Sequence, residues 1–195
     1  MVGIQDFAKG LAAIPEPQFT DENVLNYLRK NIVQPSSLGP YLWISADHYT
    51  RNLILKTPLF ELIAICWDIG QKSPIHNHRD QRCWMAVAYG KLHVHNFDLV
   101  KKDGSSGFCE LRSAGQFVLD PEHPAEVDPK EPIHQVVNLP QHNCVAVSLH
   151  IYSLPFDTCE IYDLKAKTYE DVPLVNTTVY GELQPTEWKV ERFTL

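Results

Sequence analysis

The sequence predicts a mainly β protein, a single sandwich or barrel domain with helices packed on one face. Three observations carry this. Apolar residues recur at helical spacing only in the first ~35 positions. From Tyr41 onward, short apolar or alternating runs follow one another at close spacing. Fourteen prolines mark frequent chain reversals.

The helical part comes first. Thr20 can cap a helix whose first turn holds Asp21 and Glu22. Val24, Leu25, Tyr27, Leu28, Ile32 and Val33 follow at helical spacing, and the run from Pro35 to Pro40 stops them. Strands are expected at Leu53–Leu55, Phe60–Trp67, Trp84–Tyr89, Lys91–Phe97, Gly115–Leu119, His134–Asn138 and Ala146–Tyr152. Asp103–Gly107 reads as a turn. This divides one domain, 1–195, into a helical part (1–35), a β core (41–160) and a C-terminal extension (161–195). The acidic stretch from Glu170 to Leu195 carries no motif and is expected to cover one edge of the core. There are no internal repeats.

Composition narrows the function classes. The chain has 195 residues, 44% of them hydrophobic, which suits one domain with a real core. A formal net charge of −7 argues against nucleic-acid or anionic-membrane partners, which need a basic surface. The longest apolar runs, such as Leu62–Trp67, are too short to span a bilayer. Met1–Ile14 carries Asp6 and Lys9 and no long apolar stretch, so a cytoplasmic protein is expected; a monomer is expected as well. Five cysteines without a CxxC pair argue against a zinc ribbon and for free thiols.

The histidines carry the chemistry. His76 and His78 are two apart, so on a strand both imidazoles leave one face and can reach one metal ion. His134 is the candidate third ligand. Around them stand two spaced blocks. Gly70, His76, His78, Cys83 and Gly90 form the first; Pro129, Glu131, His134 and Asn138 form the second. His93 and His95 are also two apart but lack such flanks, and read as ordinary strand residues. Three neutral imidazoles leave about three positions open on an octahedral ion. Imidazole suits zinc, copper, iron and nickel alike, so these ligands do not choose the metal. An uncompensated ion favours an anionic ligand such as a thiolate.

The two blocks resemble the paired motifs of the cupins, G-x5-H-x-H-x3/4-E-x6-G and G-x5-P-x-G-x2-H-x3-N. That resemblance implies a double-stranded β-helix (jelly-roll) barrel with a metal inside. Cys83 stands where the motif has a glutamate ligand, and His123 and Glu131 stand where it has glycines.

A narrower resemblance covers more than half the chain, from about Tyr49 to Cys159. The segments Tyr49–Leu53, Cys66–Trp67, His76–His78, Ser148–Ser153 and Pro155–Cys159 resemble those of cysteine dioxygenases in order and spacing. That family uses iron(II) and O2 to convert L-cysteine to cysteine sulfinic acid. The resemblance implies that His76, His78 and His134 hold iron, and that Arg51 pairs with the substrate carboxylate beside Tyr49. It also implies that Tyr152 stands near bound substrate and oxygen, with His150 as its hydrogen-bond partner. Cys83 and Tyr152 match a pair that forms a thioether crosslink in animal members. Trp67, Trp84 and Phe156 read as barrel packing. Two departures stand out. Leu154 replaces a proline that follows a cis bond in the family, so a local change of backbone near Tyr152 is expected. Arg82 replaces a histidine, and either charges the pocket mouth or points outward. Two other readings stay open. Another small thiol acid, such as 3-mercaptopropionate, could be the substrate, although those enzymes tend to have glutamine at the position of Arg51. A non-enzymatic metal-binding cupin module is the second.

Overall fold

The computed structural model describes residues 1–127, 133–185 and 187–195. Pro129, Lys130, Glu131 and Pro132 of the second histidine block lie outside them. The helices are α1 (Ile4–Ala12) and α2 (Asp21–Lys30). Thr20 caps α2, its Oγ1 accepting from the Asn23 N–H at 3.4 Å. A 3-10 segment, Pro35–Tyr41, then leads into the β region. Its strands are β1 (Trp43–Ile44), β2 (Thr50–Lys56), β3 (Glu61–Trp67), β4 (Ile75–His76) and β5 (Arg82–Tyr89). They continue with β6 (Leu92–Asp103), β7 (Phe108–Leu119), β8 (Ala125–Glu126), β9 (Ile133–Val137) and β10 (Ala146–Ser153). The last are β11 (Thr158–Asp163), β12 (Thr168–Pro173), β13 (Thr178–Val179), β14 (Glu182–Leu183) and β15 (Glu191–Arg192).

Two sheets result. One has the order β14-β13-β2-β3-β10-β5-β8. The other, β11-β12-β7-β6-β9-β4, closes because β4 also pairs with β11. The period-2 alternation of the strands explains how they pack. In β3, Ile63, Ile65 and Trp67 face inward, where they meet Met85, Val87, Leu92, Val94, Leu119 and Val136 from both sheets. Leu62, Ala64 and Cys66 face the other way, with Trp84, Leu149 and Ile151. That outer face is covered by Ile4, Phe7 and Leu11 of α1 and by Val24 and Leu28 of α2. Both faces of β3 are therefore buried, which is why its sequence is continuously apolar. Each such Leu or Ile contributes about 1.5–3 kcal/mol. The fold is the expected β barrel with N-terminal helices on one face.

Strands continue past residue 160, the expected end of the β core. β11 runs to Asp163, and β12 to Pro173, and both belong to the closed sheet. Glu160, Glu170 and Asp171 interrupt the apolar alternation there, which hid the strands from a hydrophobicity reading. β7 likewise starts at Phe108, seven residues before its expected start at Gly115, because its first half pairs with the polar end of β6.

Gly90 is required by this packing. Its φ is +79°, and a Cβ there would lie 2.7 Å from the Val145 carbonyl oxygen. Gly90→Ala is expected to destabilise the protein by about 1–3 kcal/mol, seen as a lower urea midpoint. A midpoint at or above that of the wild type would contradict this account of the turn.

Candidate active site

β4 and β9 bring the histidines together. His76 stands opposite His134 across the antiparallel ladder, so the two side chains share a face. His78, two residues past His76, returns to that face. Ring centroids lie 4.7 Å apart for His76 and His134, 4.8 Å for His78 and His134, and 5.2 Å for His76 and His78. One ligand nitrogen from each lies within 4.8 Å of the others. Among the described residues no other group of three potential ligands converges in this way.

This donor set fits a metal ion. His78 and His134 are buried, and neither ring has a hydrogen-bond partner on either nitrogen. A buried polar atom without a partner costs about 1–3 kcal/mol, and ligation would relieve it. His76 Nδ1 lies 3.0 Å from the Pro74 carbonyl oxygen. A carbonyl only accepts, so Nδ1 carries the proton and Nε2 is left as the ligand atom.

Burial also keeps these imidazoles neutral. His76 is lowered to about 4 by burial. His78 and His134 are held well below the ordinary histidine value by burial and by their neighbouring imidazoles. Unfolded histidines take up protons near pH 6.5, whereas the native ones stay neutral to lower pH. Acidification below about pH 6.5 therefore favours the unfolded chain, by up to about 1.4 kcal/mol per pH unit for each buried imidazole. The urea midpoint of the metal-free protein is expected to be flat from about pH 8 to 7 and to fall steeply from about 6.5 to 5.5. A flat profile through the lower window would contradict the burial of neutral imidazoles.

A cavity of ≈ 590 Å³ opens beside the histidines, lined among others by Tyr49, Arg51, His76, His78, Tyr152 and Phe156. Alternation along β2 turns Arg51 and Leu53 inward, with Tyr49 just before them, while Thr50 and Asn52 face the other way. Tyr49 stacks on Trp67 at 4.7 Å. The Arg51 guanidinium carbon lies 5.8 Å from the Tyr152 ring centroid, and its Nε is buried without a partner. A cationic donor of this kind is suited to a carboxylate.

β10 adds a hydrogen-bonded chain. Trp67 Nε1 donates to Ser148 Oγ at 2.9 Å. Ser148 Oγ lies 2.9 Å from His150 Nε2, and His150 Nδ1 lies 3.1 Å from the Tyr152 hydroxyl. Ser148 and the indole of Trp67 were not among the sequence-derived site residues. The signal was present: residues 148, 150 and 152 fall on one face of a strand. Burial lowers His150 to about 3 and pushes the Tyr152 phenol up. Cys83 stands opposite Tyr152 in the β5–β10 ladder, buried, with burial raising its thiol.

Several expectations are now placed. Trp84 packs outside the barrel, edge-on to Phe19, whereas Phe156 lies in the cavity, 5.1 Å from the Tyr152 ring. Arg82 points outward, to the Phe19 carbonyl and Asp21. His123 is exposed and bonds Asp120. His95 lies on β6 like His93, whose ring is 5.2 Å from that of His142. The Ser153–Leu154 peptide is cis, with leucine at the position where the resemblance has proline. The C-terminal segment covers the β2 edge through β13, and its residues Leu174–Thr177, Pro185 and Trp188 also form a wall of the cavity. That second role had no sequence signal, since nothing local ties those residues to Arg51. No disulfide links the five cysteines. No helix of the described residues is long and apolar enough to cross a membrane.

A closed β barrel that gathers three histidines, two of them without hydrogen-bond partners, near an inward arginine defines a metal-binding cupin. The family model "Cysteine dioxygenase type I" matches residues 22–165. The cysteine dioxygenase type 1 of Danio rerio is 31% identical over 172 residues, covering 88% of this chain and 84% of that protein. Those of Rattus norvegicus and Bos taurus are 30% and 32% identical over 152 residues, covering 77% of this chain and 74% of each relative. A double-stranded β-helix protein of Klebsiella pneumoniae aligns in structure at 17% identity and a TM-score of 0.41, over 58% of this chain and 84% of that one. The chain belongs to the cysteine dioxygenase type I family.

Proposed function

We propose that this protein is an iron(II)-dependent thiol dioxygenase that converts L-cysteine and O2 to L-cysteine sulfinic acid. The observation that carries the reading is the meeting of His76, His78, Arg51 and Tyr152 at one cavity, with His134 converging on the two histidines. The three histidines would hold the metal, which supplies open positions for the thiolate and for O2.

The chain's own residues do the rest. Arg51 receives the carboxylate in a two-pronged bond, with Tyr49 beside it, and so fixes the orientation of the thiol. Burial of the cavity walls strengthens that charge pairing. His150 orients the Tyr152 hydroxyl. If Ser148 donates to Nε2, then Nδ1–H donates to the tyrosine oxygen, leaving the phenolic proton free to point at the reacting groups. Tyr152 then stabilises negative charge as it develops on oxygen. Tyr152→Phe is expected to lower kcat about ten- to a hundred-fold with a smaller change in KM, the mark of a bond made in the transition state. A pure KM effect would place Tyr152 in binding instead.

Cys83 and Tyr152 are further proposed to join through a thioether. Forming that C–S bond removes one hydrogen from the thiol and one from the ring, with O2 as the electron acceptor. A tryptic mass map after turnover is expected to show the two peptides joined, lighter by two hydrogens. Two separate peptides would sink the crosslink and leave the dioxygenase reading intact. Free thiols suit a reducing cytoplasmic setting.

The experiment for the main reading is oxygen uptake with iron(II) and cysteine, paired with detection of the sulfinate. Uptake no greater than that of His76→Ala would favour a binding module. Faster turnover of 3-mercaptopropionate than of cysteine would favour the other thiol acid.

A further inference from the structure

We infer that Glu160 acts through Asn77 as a positioning residue for the His76 and His78 pair. This rests on the reading above, that those histidines and His134 hold a divalent metal.

The need for such a device follows from the strand itself. β4 is two residues long and ends at His76. His78 lies beyond the ladder, so strand pairing alone does not hold its backbone. The residue between the two histidines does. The Asn77 N–H donates to the Glu160 carbonyl at 3.2 Å, and Asn77 Oδ1 accepts from the Glu160 N–H at 3.1 Å. Asn77 Nδ2 donates to Glu160 Oε2 at 2.7 Å, with Tyr162 Oη at 3.2 Å. The carboxamide thus takes the place of a peptide group and carries the β4–β11 pairing one step past its end.

Glu160 is fixed in turn. It is 7% exposed, and each carboxylate oxygen is occupied. Oε1 accepts from Lys102 Nζ at 2.6 Å, with Arg79 Nη1 at 3.7 Å. Oε2 accepts from Tyr162 Oη at 2.6 Å as well as from Asn77. A carboxylate held from β6, β11 and the turn after His78 cannot rotate away from Asn77. That turn is abrupt. Arg79 and Asp80 have φ of +52° and +61°, in the left-handed region. Arg79 is tied to Glu160 and to Asp171, which holds the turn closed directly behind His78. Partners that fix a ligand's orientation this way typically contribute ten- to a hundred-fold to metal affinity.

The test uses Co(II) as the probe, read by its dissociation constant and visible absorption bands, with the melting temperature of each metal-free protein alongside. Asn77→Asp keeps the shape but sets an acceptor against Glu160 Oε2. It is expected to weaken Co(II) binding about ten- to a hundred-fold and to change the position or intensity of the bands. Glu160→Ala is expected to do the same, and Glu160→Gln, which keeps an oxygen for the Asn77 amide, to recover part of the affinity. Lys167→Ala, which breaks the exposed pair with Glu110, should change neither readout. If Asn77→Asp and Glu160→Ala are folded by their melting transitions and bind with wild-type affinity and spectrum, the positioning role is overturned. Should both fail to fold, Tyr162→Phe removes one bond to each of Asn77 and Glu160. It is then expected to shift affinity and bands in the same direction by less, and unchanged values would overturn the inference. Wild-type binding that survives His76→Ala would instead refute the metal site on which this rests.

Discussion

His134→Ala is expected to remove both metal binding and oxygen uptake, the largest effect of any single replacement in the chain. The ring is 1% exposed, and neither of its nitrogens has a protein partner. It has no evident structural duty that would explain a buried imidazole other than ligation. Loss of an outer partner of a ligand costs ten- to a hundred-fold in metal affinity, and loss of a ligand itself should exceed that. The metal-free variant is expected to melt at or above the wild-type metal-free temperature, because an unsatisfied buried polar ring is gone. Metal content and sulfinate yield on purified protein provide the check. Retention of one bound iron per chain with normal turnover would remove His134 from the centre.

The second large effect is at Arg51. Arg51→Ala is expected to lower kcat/KM for cysteine by about ten- to a hundred-and-fifty-fold. That range corresponds to about 1.5–3 kcal/mol for a hydrogen bond to a charged group. Stability should not fall with it. In the free protein the guanidinium is enclosed and its Nε lacks a partner, so the side chain is held there at a cost that substrate relieves. Loss of activity with an unchanged or higher melting temperature is the expected pair of results, read by steady-state kinetics and thermal denaturation. The same loss with a thiol lacking the carboxylate would show that Arg51 acts elsewhere.

Much of the site could be read from residue spacing because each strand contributes through alternation. His76 and His78, Tyr49 and Arg51, and His150 and Tyr152 are all two apart, so their common face needs no tertiary information. His134 needed the second spaced block, since its approach to His76 depends on β4 and β9 lying side by side. The misses have the same cause. Ser148 extends the His150–Tyr152 face by one step, but its value appears only when Trp67, from another strand, is seen to donate to it. Glu160 stood only at the expected end of the β core, with no strand predicted around it. Its burial depends on Lys102, Asn77 and Tyr162 converging from three places.

The sequence by itself determined the class of fold, the helices on one face, the three candidate ligands and the inward arginine. The fold class, the helices and the shared face of His76 and His78 follow from local periodicity and backbone geometry, which act over a few residues; His134 came from the second spaced block and Arg51 from the family resemblance. Tertiary structure alone decided that the strands after residue 160 complete the barrel, and that the C-terminal segment walls the cavity. It also decided that Arg82 points away from the cavity, and that a buried carboxylate bonds the asparagine between the two histidines. Those outcomes depend on which distant strands pair and on which charges are buried together, and no local pattern encodes either.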